Sequence, residues 1–220
     1  MKRRAFFTSF AGKPPDEQFK PARGSPGPTI FTNALLRTHE NKQVRFYEDL
    51  IKGKQVVINL MYATCEGFCP TITARLIKVH EALKDRMGKD LFMYSMTVKP
   101  EVDDPEALMH FAEMHQALLP GWTFLTGDPY DIETIRFRLF RMDHIAIDTD
   151  LNSHTSSLRI INDATNRWLE VNPLASLHTV LKNISMAGPS KSLKEKLEDN
   201  KRLQEEIDKE VKKYGYRKIV

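Results

Sequence analysis

The run QVVINLMY, residues 55–62, constrains the fold more than any other stretch of this 220-residue chain. It is β-branched at its start and almost unbroken in apolarity, so a strand built from it must be covered on both faces, as in a parallel sheet clad by helices. LFMYSMTV, residues 91–98, is a second run of the same kind. Between the two, Ile72, Leu76, Val79, Leu83 and Met87 recur at three- and four-residue steps. That spacing predicts an amphipathic helix that follows Pro70 and ends at Gly88.

The remaining elements are shorter. Residues 44–46 read as a strand and residues 49–54 as a polar connection broken at Gly53. Asp104-Pro105 and Asp128-Pro129 each put a capping acid before a proline suited to the first helical position. Two helices follow, one carrying Leu108, Phe111, Ala112 and His115, the other Ile132, Ile135 and Leu139. Residues 157–162 and 167–171 read as a hairpin around Asp163-Ala164-Thr165-Asn166, and residues 174–184 as a last helix. The order is strand, helix, strand, helix, helix, strand, strand, helix. It predicts an α/β fold, a mixed β-sheet sandwiched by helices in a thioredoxin-like arrangement, with a C-terminal helical extension.

Three segments are expected. Residues 1–28, rich in proline, glycine and charge, read as an unstructured lead-in. Its start, MKRRAFFTSFAG, is either part of an export signal or a plain basic tail, since Thr8 and Ser9 interrupt the apolar run that a full signal needs. Residues 29–187 form the domain. Residues 188–220 form a charged helical tail in which Leu193, Leu197, Asn200, Gln204, Ile207 and Val211 make a seam too polar for a strong coiled coil. Pairs such as Glu198 with Arg202 and Glu205 with Lys209 suit a solvated helix instead. No apolar run reaches 18 residues, so no transmembrane segment is expected. The net charge of +4 is small and gathered at the two ends of the chain, which argues against nucleic acid as a partner.

The chain has two cysteines, and both fall in one loop, Cys65-Glu66-Gly67-Phe68-Cys69-Pro70, directly after the first buried run. This is the carboxyl edge of the sheet, where α/β folds build their sites. With Pro70 in the first helical turn, Cys69 takes a cap-like position, and helix N–H groups facing its sulfur would favour the thiolate. Gly67 lets the loop fold back so that both sulfurs point to one place. Buried structural thiols, a redox dithiol and a metal site all compete for the pair. The three-residue spacer departs from the two-residue spacing of dithiol oxidoreductases, and a metal would demand a third ligand. Zinc wants four donors, whereas copper(I) is content with two sulfurs and an imidazole. His154, in a polar segment just before a predicted strand, is the leading candidate for that imidazole, and His144 is the fallback. His39, His80, His110, His115 and His178 belong to loops or helices expected elsewhere.

The segment FYEDLIKGKQVVINLMYATCEGFCP, with VKPEVDDPEALMHFAEMH, WTFLTGDPYDIETI and a histidine ahead of SLRIIND, resembles the Sco/SenC family of copper-binding thioredoxin-fold proteins. The resemblance covers roughly residues 29–187 and implies that Cys65 and Cys69 are thiolate ligands of copper and that His154 is the distal histidine. It implies a metallochaperone delivering copper for cytochrome c oxidase assembly, with the copper-bearing oxidase subunit or another copper recipient as partner. It also implies a Cys65–Cys69 disulfide that forms reversibly, a thiol-disulfide reductant as a further partner, and a periplasmic or other extracytoplasmic compartment. Turnover catalysis is not expected. The alternative is a thiol-disulfide oxidoreductase or redox sensor using the same pair, and a third idea is an interaction module working through the C-terminal helix. Two features depart from the family pattern. Ser153 precedes His154 where an acidic residue is common, and the usual N-terminal membrane anchor is not seen.

Overall fold

The computed structural model describes residues 31–65, 67–140 and 157–188, with helical positions at 198, 201, 202, 204, 205, 208 and 209. The order of elements is β1 (Leu35–Thr38), β2 (Gln43–Arg45), a π-helical turn (Phe46–Ile51), β3 (Gln55–Met61), α1 (Phe68–Ala82), β4 (Leu91–Thr97), α2 (Pro105–Met114), β5 (Trp122–Gly127), α3 (Pro129–Phe140), β6 (Leu158–Asn162), β7 (Arg167–Val171) and α4 (Leu177–Ala187). The strands make a seven-stranded mixed sheet in the order β2-β1-β5-β4-β3-β6-β7. β3, β4 and β5 run parallel, with Gln55 opposite Leu91 and Met61 opposite Thr97, while β1, β2, β6 and β7 pair antiparallel outside them.

β3 is buried along its whole length, as its composition requires. Alternation divides its side chains between two cores. Val57 and Met61 join Ile72, Leu76 and Val79 of α1, Leu108 and Phe111 of α2, and Val180, Leu181 and Ile184 of α4. Val56, Ile58 and Leu60 face the π-helical turn and Ile132, Ile135 and Leu139 of α3. The result is the predicted sandwich, three layers deep.

The structure differs from the sequence reading in several places. β1 and β5 were not expected. β1 is a four-residue strand that buries only Leu36 and Thr38, and β5 (WTFLTG) mixes aromatic residues, threonine and glycine without a clear period. The expected polar connection at 49–54 overlaps the π-helical turn, in which Leu50 and Ile51 are buried. α1 starts at Phe68, before Pro70, and stops at Ala82. Residues 83–90 then turn tightly, because Gly88 (φ +75°) and Gly121 (φ +74°) bring two backbones together; a Cβ on Gly121 would lie 2.3 Å from the Gly88 nitrogen. α4 lies three residues later than predicted, capped by Ser176, whose hydroxyl accepts from the Thr179 N–H at 3.1 Å. Of the proposed seam in the tail only Gln204 is described, and its amide donates to Asp208 at 2.9 Å, an i,i+4 pair of a helical surface. The N-terminal segment 1–30 lies outside the described residues.

Candidate functional site

β3 and β4 end side by side, and the loops leaving them are tied together. The Val98 N–H donates to the Met61 carbonyl at 2.8 Å. Asp103, fully buried, accepts through Oδ2 from the Ala63 N–H at 3.0 Å and from the Thr97 hydroxyl at 2.5 Å. One carboxylate therefore clamps the cysteine loop to the loop after β4. Its other oxygen, Oδ1, has no hydrogen-bond partner among the described residues. A buried carboxylate is costly to keep unless it is well bonded, so this clamp belongs to the architecture of the site.

Within the loop the Cys65 N–H donates to the Tyr62 carbonyl at 3.2 Å, a turn that brings Cys65 back over the end of β3. Gly67 occupies the cap position of α1, which puts Cys69 second in the helix. Both sulfurs are free thiols, and both residues are buried, at 8% and 5% exposure. Phe68 between them is exposed.

The pair is electrically asymmetric. Burial alone would raise the Cys65 thiol, but the Cys69 thiol, the N–H groups of Cys69 and Gly67 and the Tyr62 hydroxyl all donate towards its sulfur and bring it below the ordinary value. Cys69 goes the other way. Burial pushes it up to about 12, helped by the hydrogen bond it gives to Cys65, by the charge on Cys65 and by the Asp103 carboxylate, with only the Tyr62 N–H opposing. This corrects the expectation that the helix start would favour a Cys69 thiolate. The helix begins one residue before Cys69, so its first free N–H groups aim at Cys65 instead. Cys65 is the more acidic sulfur of the two, and the Cys69 thiol donates its hydrogen bond to it.

Tyr62 and Lys99 complete the surroundings. The Lys99 ammonium sits over the Tyr62 ring, 4.0 Å from its centroid. Neither residue carries a signal in the sequence, since the contact joins positions 37 apart that only the β3–β4 pairing brings together. Asp103 had a partial signal: in Asp103-Asp104-Pro105 only one acid can cap α2, and Asp104 does so, accepting from the Ala107 N–H at 2.8 Å. The other was available for a different task.

The histidines fall into two groups. His80 is buried on α1 with Nε2 2.8 Å from the Pro120 carbonyl and its ring stacked near Trp122. His39 accepts from the Phe124 N–H through Nδ1 at 3.2 Å, and burial lowers its pKa. His110 is on α2 and His115 is its C-cap, with the His115 ring against Phe111. His178 is on α4. His154 and His144 lie outside the described residues. Among the described residues no three histidine, cysteine or acidic side chains converge to hold a metal. The two sulfurs nonetheless fit a soft monovalent cation: they are adjacent, polarised and set in an apolar core that excludes harder oxygen-loving ions.

Comparison with known proteins agrees with this picture. The SCO1 protein homolog of Bacillus subtilis (strain 168) is 30% identical over 92 residues, a stretch covering 41% of this chain and 47% of that protein. The chain thus spans about half the length of that relative. The structure of BsSco, a member of the Sco family of cytochrome c oxidase assembly proteins in which a disulfide switch is identified, superposes with a TM-score of 0.57 at 24% identity, covering 70% of this chain and 90% of the other. Yeast Sco1 with copper bound superposes with a TM-score of 0.57 at 17% identity, covering 76% and 98%. At these identities the likeness establishes the fold. Residues 35–187 match the SCO1/SenC family over most of the chain, and the protein belongs to that family.

Proposed function

We propose that the protein is a copper metallochaperone that binds copper(I) through Cys65, Cys69 and His154 and passes it by ligand exchange to a recipient in cytochrome c oxidase assembly. The observation that carries this reading is the pair of buried, mutually hydrogen-bonded thiols at the end of β3 in a chain of the SCO1/SenC family. Thiolates prefer soft copper(I), and a site with few donors releases it to a recipient offering more. The copper-bound yeast Sco1 supports copper as cargo.

His154 is supported by topology. β6 runs antiparallel to β3, with Ile58 opposite Arg159 and Gln55 opposite Asn162. The start of β6, four residues after His154, is therefore at the cysteine end of β3. The domain carrying the site corresponds to residues 29–187, with residues 188–220 as an appended tail. Loss of two electrons and two protons would join Cys65 and Cys69 as a disulfide, which cannot ligate copper, so a thiol-disulfide reductant must act before loading. A dithiol that cycles in this way suits an extracytoplasmic compartment.

The test is anaerobic titration of the reduced protein with copper(I) against a competing chelator, beside Cys65→Ser, Cys69→Ser and His154→Ala. Stoichiometric uptake weakened strongly in all three variants is expected, and equal binding by wild type and His154→Ala would remove the three-ligand site. A second reading, a thiol-disulfide oxidoreductase, draws on the asymmetry of the pair, because one thiol lowered in pKa beside another raised is the arrangement of a nucleophilic dithiol. Rapid insulin-disulfide reduction without tight copper uptake would favour it.

A further inference from the structure

The helical positions described beyond the domain, seven between 198 and 209, are all exposed. Written as heptads with Leu193 at d, the segment 193–211 puts Leu193, Leu197, Asn200, Gln204, Ile207 and Val211 on the inner a and d positions. Every outer b, c and f position, from Glu195 to Lys209, is charged. Gln204, on the inner seam, is exposed as well, and its amide donates to Asp208 of its own helix at 2.9 Å. At that point the seam is not covered by the domain.

The seam is symmetric in sequence. Reversed about Arg202, Leu193 falls on Val211, Leu197 on Ile207 and Asn200 on Gln204. Two copies laid antiparallel about that centre pair apolar with apolar in the outer layers and amide with amide in the middle, where donors and acceptors answer one another. The flanking e and g positions agree with this arrangement. Lys194 meets Asp208 and Lys196 meets Glu210, Leu203 meets its own copy, and Lys201 alone faces its like. A parallel pair would instead set Lys196 against Lys201 and Leu203 against Asp208.

We propose that the C-terminal helix is the interface of a homodimer, in which residues 193–211 of two copies pair antiparallel about a two-fold axis at Arg202. The contact is isologous, so each pairing occurs twice, and it runs along about 28 Å of helix. Amides at its centre fix the alignment at a cost in strength, so the dimer forms as concentration rises and dissociates on dilution. In the monomer the i,i+4 pairs of the outer face hold a solvated helix. The two domains leave from opposite ends of the paired helices, and the inference does not depend on what the cysteines bind.

Sedimentation velocity of the full chain, reduced and metal-free, over a wide range of protein concentration measures the association. A monomer–dimer equilibrium with no higher species is expected. Ile207→Asp puts a carboxylate into two layers at once and should weaken the dimer at least about tenfold, while urea unfolding of the domain stays as in wild type. Lys196→Glu and Glu210→Lys should each weaken it about threefold, and the two together should restore it, because the exchange keeps opposite charges face to face. A chain that stays monomeric at the highest concentration reached, with its helix solvated or folded onto its own domain, would overturn the proposal. So would a dimer that Ile207→Asp leaves intact, or a charge exchange that fails to restore association, since a parallel pair or an interface elsewhere does not couple Lys196 to Glu210.

Discussion

The two faces of the sheet are built on different principles. The face under α3 and the π-helical turn is packed from Val56, Ile58, Leu60, Met96 and Leu125, with Tyr94 as its main polar group, donating its hydroxyl to the Leu50 carbonyl at 3.0 Å. The face under α1, α2 and α4 interleaves its apolar residues with a line of buried hydrogen bonds. Trp122 Nε1 donates to Ser95 Oγ at 2.9 Å, Ser95 donates to Asn59 Oδ1 at 2.7 Å, and the Gln55 amide donates to the Ile184 carbonyl at 2.6 Å. Thr97 and Asp103 continue that line to the cysteine loop. Apolar packing tolerates small adjustments of register and rotamer, whereas directional buried hydrogen bonds restrict the arrangement more. The functional face is the one whose geometry is fixed.

That contrast can be broken from either side. Ile58→Ala on the apolar face should cost the most stability, about 2–5 kcal/mol in chemical unfolding, while leaving the relative alkylation rates of Cys65 and Cys69 unchanged. Asp103→Ala should cost about 1–3 kcal/mol by leaving the Ala63 N–H and the Thr97 hydroxyl unpaired, and it should also bring the Cys69 thiol down towards its ordinary value. Mass-spectrometric alkylation of each cysteine checks both halves of that outcome. Ser95→Ala should cost about 1–2 kcal/mol, since the Trp122 indole and Asn59 both lose a partner, with a smaller effect on the thiols than Asp103→Ala because Ser95 bonds to Trp122 and Asn59 and not to the cysteine loop.

A further effect is one of pH. Cys69 is held protonated in the fold up to about 12, whereas in the unfolded chain it titrates near its ordinary value of 9.0. The unfolded state therefore loses its proton first, and the stability contributed by this thiol is intact below 9 and lost as pH rises from about 9 to about 12. Urea unfolding of the reduced protein should show that decline, and Cys69→Ser should flatten it.

Much of this contrast was legible in the sequence, but unevenly. The runs at 55–62 and 91–98 announced strands covered on both faces, and the cysteine loop between strand and helix marked the site. Near-continuous apolarity hid the difference between the faces, because Asn59 and Ser95 look like isolated interruptions until strand alternation aligns them with Trp122. β5 escaped notice because its identity as a strand depends on pairing with β4 and β1 more than on its own pattern. The polarity of the cysteine pair was misjudged because the helix starts two residues earlier than expected, with Gly67 and not Cys69 at its cap. That was enough to move the N–H groups from Cys69 to Cys65.

Copper K-edge absorption on the reduced, copper-loaded protein tests whether two sulfurs of one loop and a distant imidazole hold copper(I). Two sulfur scatterers and one nitrogen scatterer are expected, with the nitrogen lost in His154→Ala and a sulfur lost in either Cys→Ser variant. A copper shell without sulfur, or one unchanged by these substitutions, would contradict it.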